Sequence, residues 1–174
     1  MLKMECHVQN VEVAEHHMDD DFEIIYVLAG TSNSGPVLEE LPAKRLAENL
    51  YLLLASPGLA LNIAKDDLIT LDENKKPIVV KRGENFCIQI YSDSIDDRSI
   101  NELEANVGKS LHGSLDGRHG GAFAFSIPVE MGFDAIKSVF NEFSSKTGVD
   151  WYYANIYKFP DNQEDDTLLN WWEK

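Results

Sequence analysis

Close-set apolar runs broken by turn residues fill the chain to about residue 83, and from residue 84 the pattern lengthens into alternating strand-like and helix-like segments. That change of period is what limits the fold. Phe22 to Ala29 form a β-rich run that stops at Gly30 to Pro36, where Gly, Ser, Asn and Pro supply turn chemistry. Val37 to Leu46, Leu50 to Leu54, Leu68 to Leu71 and Ile78 to Val80 follow at short intervals. Such spacing describes a small twisted sheet or open barrel. Ala43, Leu46, Ala47, Leu50 and Leu54 also satisfy a helical period, so over Glu39 to Leu54 the periodicity leaves strand and helix open.

Beyond residue 84 the pattern predicts strands at Phe86 to Tyr91, Ala122 to Val129 and Val149 to Lys158, with helices at Ser99 to Val107 and Asp134 to Lys146. Ser99 followed by Glu102 has the form of a capping box, and Gly108 stands where a helix would stop. Ile100, Leu103 and Val107 share one helical face. Ile136, Val139, Phe140 and Phe143 form the stripe of the second helix, with Lys146 and Gly148 at its end. Helices with a single apolar face cover one side of a sheet. The expected fold class is therefore α+β: a small N-terminal β-rich unit packed on a C-terminal βαβαβ sandwich with two helices on one face of the sheet. The expected division is 1–21 as an acidic N-terminal arm or first strand, 22–83 as the β-rich unit, 84–160 as the α+β unit, and 161–174 as an acidic tail whose tryptophans dock.

A chain of 174 residues with 44% apolar content can bury roughly 70% of the surface it exposes when unfolded, so no metal or disulfide is needed to hold it together. Charge is its unusual property: 30 acidic residues stand against 15 basic ones, a net charge of −15. Residues 1–23 hold seven acids and one base, and residues 93–134 hold eight acids and three bases. A field of this sign repels nucleic acid and anionic membranes and speeds encounter with a basic protein. Neither a signal peptide nor an apolar run near the ~18 residues of a membrane span is visible, so the expected location is cytoplasmic.

Candidate chemistry is sparse. His16 and His17 beside Asp19, Asp20 and Asp21 are adjacent rather than alternating, which suits a solvated arm better than a metal site. Ser114 to Gly121 carries Asp116, Arg118 and His119 among glycines, the alternative being an acid–base or ligand site in a small enzyme or regulator. Asp-Gly and Gly-Gly are also ordinary turn signals. Cys87 falls in an apolar run, as a buried thiol does, far in sequence from Cys6. No nucleophile elbow, zinc pairing or dinucleotide fingerprint occurs, so no catalytic residue, metal or cofactor is expected. The better lead is the acidic cluster around the first helix, Asp93, Asp96, Asp97, Glu102 and Glu104, with Tyr91, Tyr152, Tyr153, Trp171 and Trp172 as aromatic anchors for a partner.

Glu40-Leu41-Pro42-Ala43, Leu50-Tyr51-Leu52 running to Ser56-Pro57, Ile63-Ala64-Lys65-Asp66-Asp67 and Ala122 to Pro128 resemble, in order and spacing, the bacterial domain-of-unknown-function family number 4265. The resemblance covers about residues 22–158. It implies a small β unit followed by a βαβαβ part, and Lys65-Asp66 stands where the family's turn has Gly-Asp. By analogy with small acidic proteins encoded beside bacterial toxins, the resemblance implies an immunity protein or antitoxin. Its partner would be a cognate toxin or other basic protein, with no nucleic acid and no membrane.

Overall fold

The computed structural model describes residues 21–174. Cys6, His16, His17, Asp19, Asp20 and all of the expected acidic arm except Asp21 lie outside the described residues. The first sheet is antiparallel, in the order β1 (Glu23–Ser32), β2 (Gly35–Ala47), β3 (Leu50–Leu53), β4 (Leu68–Leu71), β5 (Pro77–Lys81). Ile25 and Val27 point inward while Ile24 and Tyr26 stay exposed, the period-two alternation of a one-sided sheet. Leu28 N–H reaches the Lys75 carbonyl at 2.8 Å, so the first strand meets the β4–β5 turn and the sheet curls toward an open barrel. Its interior holds Leu41, Ala43, Leu53, Ile63 and Ile69.

Strand wins over helix between Glu39 and Leu54. Ala43 pairs with Leu53 and Ala47 with Leu50, leaving Glu48 and Asn49 as a tight turn in which Asn49 takes φ 49°. Asn tolerates that left-handed backbone. At the Lys65-Asp66 turn it is Asp66 that becomes left-handed, with φ 67°.

The second unit runs β6 (Asn85–Tyr91), α1 (Asp97–Leu111), β7 (Ser114–His119), β8 (Ala122–Pro128), α2 (Gly132–Thr147), β9 (Trp151–Tyr153). Its strands are antiparallel in the order β7-β8-β6-β9, the split βαβ arrangement of a ferredoxin-like sandwich. It is an α+β fold with one strand, β7, beyond the expected βαβαβ. β7 has little apolar alternation to announce it, and it forms a hairpin with β8 through Gly120 and Gly121, at φ 55° and 79°. Two consecutive positive values are what a type I′ turn requires.

Helix α1 starts one turn earlier than the capping box predicts. Asp96 is the cap, accepting the Ser99 N–H at 2.7 Å. The helix also runs through Gly108 to Leu111, and His112 takes the left-handed position with φ 51°. α2 ends at Gly148, as its sequence indicates. β9 stops at Tyr153 rather than Lys158, because the Asn155 side chain takes over the pairing. It accepts the Cys87 N–H and donates to the Asn85 carbonyl, both at 2.9 Å.

One face of this sheet, with Phe86, Ile88, Ile90, Phe125 and Ile127, packs against Ile100, Leu103, Val107, Ile136 and Phe140 of the helices. The other face carries Cys87, Gln89, Ala124 and Ser126 and is covered by the β3–β4 loop. Gln89 Nε2 donates to the Pro57 and Ala60 carbonyls at 2.9 Å, and Ser56 Oγ lies 2.6 Å from Ser126 Oγ. The same loop is clamped by Asp67, which accepts from Ala64 N–H, Gly83 N–H and Arg82 at 2.9, 2.8 and 3.1 Å. Burial raises the Asp67 carboxyl and lowers the Arg82 guanidinium, and their contact offsets that penalty.

Candidate functional site

The three-residue β9 is an edge strand of the second sheet. Its side chains alternate across that edge. Tyr152 stands on the seam face beside Tyr91, with ring centroids 6.2 Å apart, while Trp151 and Tyr153 pack toward the helices. Trp151 is held by its Nε1–H donating to Asn141 Oδ1 on α2 at 2.9 Å. After Tyr157 the chain makes an excursion before Leu168 returns to bridge Tyr157.

Residues of that excursion and of β9 together line an open groove of about 800 Å³. Gln89, Tyr91 and Tyr152 line one side, and Lys137, Trp151 and Tyr153 the other. Tyr157, Phe159, Asp165 and Asp166 belong to the far wall. The cleft between α1 and α2, by comparison, holds about 70 Å³, too little for a protein segment.

The groove combines aromatic surface with negative charge. Residues 161–166 carry Asp161, Glu164, Asp165 and Asp166 and no base. Hydrogen bonding by the Thr167 side chain, and then by the Thr167 N–H at 2.9 Å, holds the Asp165 carboxyl below the usual range. Lys158 sits 5.4 Å from the Phe159 ring centre. Tyr91 is pushed up to about 12 by burial and therefore remains a neutral donor, giving its proton to Gln89 Oε1 at 2.6 Å. Burial also raises Tyr153, whose hydroxyl has no hydrogen-bond partner among the described residues. Aromatic faces and carboxylates together suit a cationic side chain carried on an apolar stem.

Of the residues singled out from the sequence, Tyr91, Tyr152 and Tyr153 converge here. Trp171 and Trp172 do not. They pack on Phe86 with ring centroids at 5.6 Å, Trp171 Nε1–H donates to the Asn155 carbonyl at 2.7 Å, and Arg82 lies 5.1 Å over the Trp171 ring.

Helix α1, with Asp97, Glu102 and Glu104, lies over β7 and β8 rather than over β9. Asp96 caps the helix, Asp97 pairs with Arg118, and Glu102 pairs with Arg98 at 3.0 Å. Asp93 and Glu104 are exposed. Lys137, Trp151, Tyr157, Phe159, Asp165 and Asp166 escaped the sequence reading. Their signal was the aromatic density of Trp151 to Phe159 running into the acids of 161–166.

The glycine segment does not gather its polar groups. Asp116 sits at a bulge and turns into the seam, where it accepts from Ser56 N–H at 2.8 Å, from Ser114 Oγ at 2.6 Å and from Ser126 Oγ. Arg118 instead pairs with Asp97 and lies 5.6 Å over Phe123, while His119 is exposed at the turn. Cys87 is fully buried, and burial pushes its thiol up, the opposite of what a nucleophile needs. Among the described residues, no group of three His, Cys, Asp or Glu is placed to hold a metal ion, and no helix is long and apolar enough to cross a membrane.

Residues 39–151 match the family described as "Domain of unknown function (DUF4265)". A crystal structure of a hypothetical protein from Neisseria gonorrhoeae is similar in fold, with a TM-score of 0.58 at 18% identity over 80% of this chain and 96% of that one. Among curated proteins, none matches the chain.

Proposed function

The chain belongs to the DUF4265 family, and from that premise we propose that it is a cytoplasmic binding protein that captures a basic protein, as an immunity protein or antitoxin captures its toxin. The observation that carries this reading is the convergence of Tyr91, Tyr152 and Tyr153 with Asp165 and Asp166 around one open groove. Tyrosine supplies contact area at low entropy cost, and tyrosine-rich pockets are where binding energy concentrates. The net charge of −15 supports the same reading, because it steers a cationic partner at long range. The α1 acids add to that long-range field. Three of them are already engaged within the fold, which leaves the groove as the contact surface.

A tagged pull-down from the native host, with the products of neighbouring genes expressed alongside, tests the proposal. Stoichiometric recovery of one basic protein, lost in the D165K/D166K variant, is the expected result. Recovery of no partner, or of one indifferent to that variant, would count against it.

A further inference from the structure

The groove lies along a strand edge, and an edge accepts a particular kind of occupant. The Ala154 N–H donates to the Cys87 carbonyl at 2.8 Å, and Tyr152 is in register with Gln89. By alternation, Tyr152 directs its backbone groups at β6. Those of Trp151 and Tyr153 therefore point off the free edge into the groove, each offering one donor and one acceptor.

We propose that the partner enters as an extended segment that adds a strand to β9, between Trp151–Tyr153 and the 157–166 wall. This rests on the capture of a basic partner proposed above and specifies how it is held. Strands pair at about 4.8 Å, and main-chain bonds supply affinity while alternate side chains supply specificity.

Charge selects the occupant. Lys137 stands on the side of Trp151 and Tyr153, which disfavours a cation there. The side of Tyr91 and Tyr152 offers aromatic faces without a base, and Asp165 and Asp166, from the excursion, add negative charge to the groove. The fitting segment carries Lys or Arg at every second position, directed toward the two tyrosines, and uncharged residues between them. Three strand residues make a short ladder, so these cationic contacts must add to it.

The test uses the full chain, isotope-labelled, with three acetylated and amidated heptapeptides of alternating Lys and Thr. The first is unmodified, the second N-methylated at the Lys residues, and the third N-methylated at the Thr residues. Strand addition predicts that the unmodified peptide binds and slows amide exchange at Trp151 and Tyr153. One methylated peptide should bind roughly tenfold more weakly or worse, because its ladder donors are gone, while the other should keep most of its affinity. Equal binding by all three, no binding by any, or Trp151 and Tyr153 amides already protected in the free chain would overturn strand addition. If the native partner is still captured in any of those cases, the broader reading stands and only the mode fails.

Discussion

Tyr91 Oη donates to Gln89 Oε1 at 2.6 Å, and through that bond the groove is tied to the buried seam between the two sheets. Gln89 uses its amide nitrogen on the Pro57 and Ala60 carbonyls, so one side chain holds the β3–β4 loop and orients a tyrosine of the groove. Gln89→Leu should leave both carbonyls without that donor and cost about 1–3 kcal/mol in denaturant unfolding. Tyr91→Phe removes only the last bond, and its cost should be about 0.5–1.5 kcal/mol.

The Asp67 clamp is structural and should behave as a buried ion pair. Asp67→Ala leaves two backbone N–H groups unmatched and takes the counter-charge from Arg82, which keeps its bonds to Asn62, in a site where Asp67 is fully buried. A loss of about 3–5 kcal/mol is expected, measured by urea unfolding. Gly83→Ala should also destabilise the chain, because an added Cβ would lie 2.2 Å from the Asp66 carbonyl carbon.

Trp171 tests whether the tail is an anchor for a partner or part of the core. Its ring packs on Phe86 and under Arg82, so Trp171→Ala should cost about 3 kcal/mol or more. Affinity for the proposed basic partner, measured well below the melting temperature, should change little. A stable variant with lost binding would reverse that assignment.

Asp96 gives a pH signature. The Ser99 N–H holds its carboxyl below the ordinary value, so its contribution is present above the unfolded-state pKa and fades as pH falls through the lower folded-state value. Thermal melts of Asp96→Ala should show a deficit against the parent chain at neutral pH. That deficit should shrink below about pH 4.

The apolar faces of both helices and most strands were legible because burial imposes a period on the sequence; β7 was not, and between Glu39 and Leu54 the period fitted helix as well as the strands β2 and β3 that form there. Where a side chain replaced that period, the sequence was misleading. Asp96 took the cap that Ser99 followed by Glu102 advertised, and Gly108 was carried inside α1 because Leu111 still had core to reach. β7 was hidden because Leu115 is its one apolar residue and its polar neighbours are directed by a bulge at Asp116. The site was half visible. Three of the tyrosines that line the groove had been singled out, but Asp165 and Asp166 come from a loop that returns through the Tyr157–Leu168 bridge, a contact with no local signature. The docking of Trp171 and Trp172 followed from their apolar bulk, whereas the side of the sheet they covered did not.

The most direct test is calorimetric titration of the proposed basic partner, once isolated, against the parent chain, D165K/D166K and E102K/E104K, which make the same change in net charge in the groove and on α1. Binding in the groove predicts about tenfold or greater weakening for D165K/D166K and a change within about twofold for E102K/E104K. Equal effects from both would mean that only the overall field matters, and a larger effect from E102K/E104K would move the contact surface to α1; either result contradicts the groove.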